Sequence, residues 1–131
     1  MTDSRYLEDL GLAPLAQDSL SSAHAQRLAR MLDLVDDPLT DGRLPIIWIW
    51  AFFSPLTSTA ELRADGHPAG RVDGPLAGLD RRMFIGGSLE RHGELRLDTQ
   101  TERASSVLDA QNKHGRTGPF VLVDVEHQYS Q

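Results

Sequence analysis

Hydrophobic and polar positions alternate differently in successive parts of the chain. From Ser21 or Ser22, a plausible N-cap, Ala25, Leu28, Leu32 and Val35 recur at i, i+3, i+7 and i+10, while Gln26, Arg27 and Arg30 fall off that stripe. This spacing predicts an amphipathic helix. Asp36-Asp37-Pro38 should end it, because the residue before a proline avoids the α region. Next comes Pro45-Ile46-Ile47-Trp48-Ile49-Trp50-Ala51-Phe52-Phe53, closed by Ser54-Pro55 and lacking a polar face at either period. Its Ile, Trp and Phe favour a strand. Pro45 suits the first turn of a helix, and a helix apolar all round is a buried one. Periodicity leaves both open. Over 118–128, Val121, Val123 and Val125 share one face and Asp124 and Glu126 the other, which predicts a strand.

Further strands are expected at about 84–92 and 95–110. Asn112-Lys113-His114-Gly115 supplies hairpin chemistry, with Gly115 as the positive-φ position. Residues 56–80, with Gly66, Gly70, Gly74, Gly78, Pro68 and Pro75, read as a long loop of the functional or mobile kind. The first 20 residues, with Leu7, Leu10, Leu12 and Leu15 around Gly11 and Pro14, read as an N-terminal arm or short helix. Repeats and low-complexity tracts are absent. A length of 131 residues implies a single domain, 1–131, with room for a core.

Composition narrows the partners. A net charge of −6 disfavours nucleic acid and anionic membrane surfaces. No stretch approaches the roughly 18 apolar residues of a membrane span. Asp3, Glu8, Asp9 and Asp18 without an apolar core segment do not read as a secretory signal. The absence of cysteine removes disulfides, cysteine–zinc sites and thiol nucleophiles, and is compatible with a reducing cytoplasm. These features together describe a soluble, acidic, cytoplasmic domain.

Nucleotide-binding glycine fingerprints, the P-loop, the nucleophile elbow and the His-Glu-x-x-His pair do not occur. Histidines at 24, 67, 92, 114 and 127 have no metal-ligand spacing, so no metal is expected.

Four segments carry a family likeness. They are Arg81-Arg82-Met83-Phe84-Ile85-Gly86-Gly87-Ser88-Leu89-Glu90, Gly93-Glu94-Leu95-Arg96-Leu97, Lys113-His114-Gly115-Arg116-Thr117-Gly118-Pro119, and Phe120 to His127. In order and wording they resemble the N-terminal, non-catalytic half of MaoC-like hydratases and dehydratases, as in mesaconyl- or itaconyl-CoA hydratases and (3R)-hydroxyacyl dehydratases. The likeness runs from about Ser21 to His127. It implies an α+β hot-dog fold in which an antiparallel sheet wraps a central helix, and it favours the helical reading of 45–53. It also implies an accessory, substrate-shaping half of an acyl-thioester hydratase or dehydratase, joined to a catalytic hot-dog partner in a homo- or heterodimer. Coenzyme A or acyl carrier protein would enter as part of the substrate, with no separate cofactor.

Catalytic hot-dog hydratases place Asp and His in an Asp-x-Asn-Pro-x-His stretch after the helix, where carboxylate and imidazole flank a water. The corresponding stretch here, Asp33-Leu34-Val35-Asp36-Asp37-Pro38-Leu39-Thr40, has no histidine. That loss removes the side chain best suited to proton transfer near neutrality. Asp109 and His114 reproduce the separation, but at a strand end, without the proline and with a different Asn offset. The expectation is therefore no catalytic residue, with Asp109 and His114 belonging to an alternative, self-sufficient hydratase. An acyl-CoA-binding protein without activity is the other alternative.

Trp48, Trp50, Phe52 and Phe53 divide between core and an acyl tunnel, with Trp48 and Phe52 as the tunnel candidates. Arg81 and Arg82 are candidates for coenzyme A phosphates, or for an exposed start of a strand. Met83 follows them, and Gly86-Gly87 would admit a close backbone approach. Two departures from the family pattern stand out. The usual turn glycine is missing from Leu95-Arg96-Leu97-Asp98, and the sheet would lack its last strand, so that either the sequence is a shortened piece of a longer protein or a partner covers the open edge.

Overall fold

The computed structural model describes residues 3–35 and 38–131. Strands β1 (Leu15–Asp18), β2 (Thr101–Gly115) and β3 (Gly118–Ser130) form one sheet in that order. A two-residue connection makes β2 and β3 antiparallel. Two further links, Ser105 N–H to the Pro14 carbonyl and Gln100 to Gln17, run in opposing register and make β1 antiparallel as well. The architecture is a small α+β arrangement. Along β3 the odd-numbered side is the sheltered one, as Val121, Val123 and Val125 predict, and His127 and Tyr129 continue it.

Residues divide into two compact units, and the strands contribute to both. One comprises the chain through Leu15 with Pro55–Phe84 and Ala104–Gln128. Here α1 (Arg5–Asp9) buries Leu7 and Asp9. A 3-10 turn at Thr59–Glu61 is closed by a capping box between Ser58 and Glu61, which satisfies two backbone donors reciprocally. Leu62 bridges Pro68 across Gly66, which sits at φ +84°. The expected long loop is thus tied down at several points. At the β2–β3 turn the positive φ, +119°, belongs to Gly118 and not to Gly115, correcting the expected position. Gly115 still pairs as the last residue of β2, so the reversal comes three residues later.

The second unit comprises Ala16–Ser54, Ile85–Arg103 and Tyr129–Gln131. Helix α2 (Ser22–Met31) begins where predicted, with the Ser21 hydroxyl accepting the His24 N–H. It stops earlier than predicted. Asp33 turns left-handed at φ +52°, a conformation that Asp tolerates better than most residues. Of the predicted stripe, Ala25 is buried and Leu28 half-buried, while Leu32 and Val35 are exposed. Asp36 and Asp37, expected to end the helix, lie outside the described residues.

The apolar run forms a six-residue 3-10 helix, Ile46–Ala51. Burial follows its threefold repeat, in which side chains three apart eclipse. Ile49 and Phe52 are buried in one row, whereas Ile47 and Trp50 stay 58% and 60% exposed in another. The expectation of burial on every side is therefore corrected to burial of one row. Ile49, Phe52 and Phe53 join Leu20, Ala25, Leu39 and Leu44 in the core. Each large member contributes about 1.5–3 kcal/mol by leaving water.

Residues 84–92 do not form the predicted strand. They run without regular pairing and are exposed throughout, and among the described residues no strand lies in a ladder with them. Residues 95–100 likewise precede β2. Only Arg96 bridges, to Arg43, with Leu97 N–H donating to the Gly42 carbonyl and Leu44 N–H to the Leu95 carbonyl. Asp98 occupies the turn where the family glycine is missing, at φ +56°, and its carboxylate accepts the Ser22 N–H at 2.8 Å.

Candidate functional site

Where the first 3-10 helix ends, Phe53 adopts φ +57°. For a bulky aromatic this left-handed conformation costs on the order of 1–3 kcal/mol. Its surroundings hold it there. Phe53 N–H donates to Asp18 Oδ2 at 2.8 Å, and Ser19 N–H donates to Asp18 Oδ1 at 2.7 Å. The Phe53 ring packs 5.4 Å from the Tyr129 ring, and the guanidinium carbon of Arg103 lies 5.3 Å from its centroid. Burial pushes the Tyr129 hydroxyl above its ordinary range, and the Arg103 cation and hydrogen bond pull it partly back. Arg103 itself is half-buried, and its Nε is buried with no hydrogen-bond partner.

Sequence reasoning overlooked this group. Thr101, Arg103, Ser105 and Val107 share a strand phase, and along β2 that phase is the sheltered one. A charged residue in phase with Val107 was the available signal. It was obscured because Leu108, one residue on, offers the opposite phase equally well.

Trp48 is half-buried against the core and Phe52 is buried in it. The His24 ring meets the Phe52 ring edge-on at 5.0 Å, and His24 Nε2 lies 2.8 Å from the Ala51 carbonyl. Phe52 is thus enclosed by neighbours, whereas the outward row of the same helix is Ile47 and Trp50.

Arg81, Arg82, Met83, Gly86 and Gly87 lie on the exposed stretch that precedes β2. Arg81, Arg82 and Met83 belong to the first unit, and Gly86 and Gly87, with Trp48 and Phe52, to the second. Arg82 Nη1 donates to the Leu10 carbonyl at 2.9 Å, and partial burial lowers its pKa from the usual value. A Cβ built on Gly86 would meet open space, so none of the described residues requires a glycine there by packing.

Asp109 and His114 are exposed on β2 and five residues apart, so the pleat directs them to opposite faces. The Asp109 carboxylate is engaged locally, accepting Ala110 N–H and the Gln111 amide. Other carboxylate–imidazole pairs occur at Asp65–His67 and Glu90–His92, each at 3.4 Å. Glu90 and His92 are both 82% exposed, which leaves bulk water in place of a substrate pocket. The His67 N–H and the Arg63 guanidinium hold the Asp65 carboxyl below the usual range and make it a weaker base. Ser105 Oγ and His127 Nδ1 are 2.7 Å apart, with Ser105 only 8% exposed.

No cluster of potential metal ligands occurs among the described residues. A surface cleft of about 270 Å³ is lined by Pro38, Leu44, Pro45 and four charged residues, Asp41, Arg43, Arg91 and Glu94. These charges neutralise one another, since Arg43 pairs with Asp41 and Glu94, and Arg91 with Glu94. Among the described residues no helix is long and apolar enough to cross a membrane.

The pattern of hydroxyacyl-thioester dehydratase type 2 matches residues 47–131, which include all but the first residue of the Ile46–Ala51 helix, the extended stretch and the β2–β3 hairpin. The chain belongs to this family. It is also 30% identical over 132 aligned positions to the mesaconyl-C(4)-CoA hydratase of Chloroflexus aurantiacus. The alignment covers 100% of this chain and 47% of that protein, so the chain spans about half the length of the curated relative it matches. The likeness to hydratases and dehydratases seen in the motifs is thereby borne out. Within this hydroxyacyl-thioester dehydratase type 2 chain, Arg103, Phe53 and Tyr129 gather around a strained backbone, the kind of setting in which function is commonly found.

Proposed function

We propose that the chain is the accessory, substrate-shaping half of an acyl-thioester hydratase or dehydratase, folded as a hot-dog and acting beside a catalytic hot-dog partner. The observation that carries this reading is the coverage. All of the chain aligns with a mesaconyl-C(4)-CoA hydratase, yet it accounts for 47% of that enzyme. The other half of such an enzyme would be a fused domain, a second copy or a separate subunit.

The arrangement of polar side chains supports the same view. Hydration needs an acid and a base on either side of one water. Asp109 and His114 diverge, and the remaining carboxylate–imidazole pairs stand in exposed loops. The outward Ile47–Trp50 row and the exposed Met83, Phe84 and Ile85 supply apolar surface for a partner. The substrate would be a coenzyme A or acyl-carrier thioester in the cytoplasm, with Arg81, Arg82 and Met83 as candidate contacts in the first unit and, separately, Trp48, Gly86 and Gly87 in the second.

Reconstitution tests this reading. The purified chain should not hydrate crotonyl-CoA or a branched enoyl-CoA, and should do so after mixing with a hot-dog subunit carrying Asp-x-Asn-Pro-x-His. Robust turnover by the chain alone would overturn it.

A further inference from the structure

The unusual group in the second unit is Arg103. The chain carries an excess of acidic residues, 19 against 13 basic, yet among the described residues no ion pair joins a carboxylate to Arg103. Its neighbours are the Phe53 ring at 5.3 Å and the Tyr129 side chain. The nearby carboxylate that orders Phe53, Asp18, is occupied by the backbone N–H groups of Ser19 and Phe53. A guanidinium on the face of Phe53, half out of water and with a buried Nε left unpartnered, has no counter-ion among the described residues. A buried polar group left unsatisfied calls for a physical explanation, and an ion that belongs beside it is one.

We infer that Arg103, together with Tyr129, is a subsite for a carboxylate on the acyl portion of the substrate. This rests on the acyl-thioester reading and extends it to a substrate class, acyl groups derived from dicarboxylic acids. Mesaconic acid has two carboxyl groups, and esterification of one to coenzyme A leaves the other as an anion. A guanidinium fork matches a planar carboxylate in bidentate fashion, and the Tyr129 hydroxyl can add a donor. The aromatic walls raise the value of the charge by keeping water away from it. They also explain the strain at Phe53, because releasing its φ +57° turn would withdraw the ring on which Arg103 rests. An anionic group on the coenzyme would share this chemistry, so the test must separate the two sources.

Succinyl-CoA and butyryl-CoA carry the same coenzyme and differ only by a carboxylate in place of a terminal methyl. Calorimetric titration of the full chain should show succinyl-CoA bound roughly 10- to 100-fold more tightly, the range for one charge-assisted contact. Arg103→Gln should bring the ratio to about one, Arg103→Lys should keep part of it, and Tyr129→Phe should reduce it less than Arg103→Gln. If Arg103→Gln does not fold, the Lys and Phe variants carry the comparison. Equal binding of the two esters by the wild type would overturn the subsite and leave the thioester reading intact. A preference that survives undiminished in the Arg103 variants would overturn the role of Arg103. If neither ester binds, free mesaconate becomes the probe. A shift of the Arg103 Nε–H resonance on adding it would preserve the anion subsite while the thioester reading falls, and no shift would end both.

Discussion

Asp9 Oδ2 accepts the backbone N–H of Leu76 at 2.8 Å, across 67 positions of sequence, while its other oxygen accepts the Arg71 N–H at 3.0 Å. One buried carboxylate thereby gathers a glycine- and proline-rich segment against α1. Arg71 adds an ion pair to Glu8 at 2.9 Å and another to Asp73 at 3.3 Å, which together raise its pKa. A Cβ on Gly74 would collide with the Asp9 carboxylate, so the absence of a side chain there is a packing requirement.

This relationship makes a stability prediction. Asp9→Ala strands two backbone donors and should cost about 2–3 kcal/mol, since each unsatisfied buried group carries its own desolvation penalty. Gly74→Ala should cost a comparable amount through the clash. Urea denaturation of both variants checks this. Wild-type midpoints would show that the segment is not held by Asp9.

A second prediction concerns the spacing that imitates a catalytic pair. Asp109 and His114 point to opposite faces of β2 and cannot share one water. Asp109→Ala and His114→Ala should each leave turnover of the reconstituted enzyme within about twofold, as expected for exposed positions worth less than about 0.5 kcal/mol. Loss of turnover by orders of magnitude in either variant would restore the self-sufficient hydratase.

How much of this was legible depended on whether a single segment decided its own structure. The Ser21 cap, the start of α2 and the valine face of β3 are local, and the sequence predicts each of them. Residues 84–92 include strand-forming side chains, yet among the described residues they join no sheet, and strand formation depends on such a neighbour. The 3-10 helix needed knowledge of what covers each row, which composition does not supply. Arg103 was hidden for a related reason. The Val107–Leu108 step leaves the phase of β2 undecided, so whether Arg103 or Glu102 faces inward emerges only when β3 and Phe53 are in place.

Acid should reveal a third contact. Asp98 is held below the usual carboxylate value of 3.8, first by the Ser22 backbone N–H and then by the Ser22 side chain. With a folded pKa below the unfolded one, its contribution is complete above about pH 5. As the pH falls, the unfolded chain takes up this proton first, and the contribution disappears by the time the folded carboxylate is protonated. Asp98→Asn keeps an acceptor and a side chain tolerant of φ +56°, so it isolates the charge. The difference in urea midpoint between wild type and Asp98→Asn should shrink steadily from pH 5 to acid. A difference independent of pH would assign the turn to geometry alone.

The outward face of the 3-10 helix supplies the last prediction. Ile47 and Trp50 stand one turn apart, and both remain mostly exposed in the single chain. Covering such side chains contributes about 2 kcal/mol or more apiece, and an isologous contact counts each twice. The chain alone should therefore be dimeric in light scattering at micromolar concentration, and Ile47→Ser with Trp50→Ser should make it monomeric. Because neither side chain belongs to the buried row, the folded circular dichroism spectrum and the urea midpoint extrapolated to low concentration should be unchanged. Mixing the double variant with a catalytic hot-dog subunit should likewise fail to restore hydration. A wild-type chain that stays monomeric, and a double variant that supports full turnover, would show that the partner docks elsewhere.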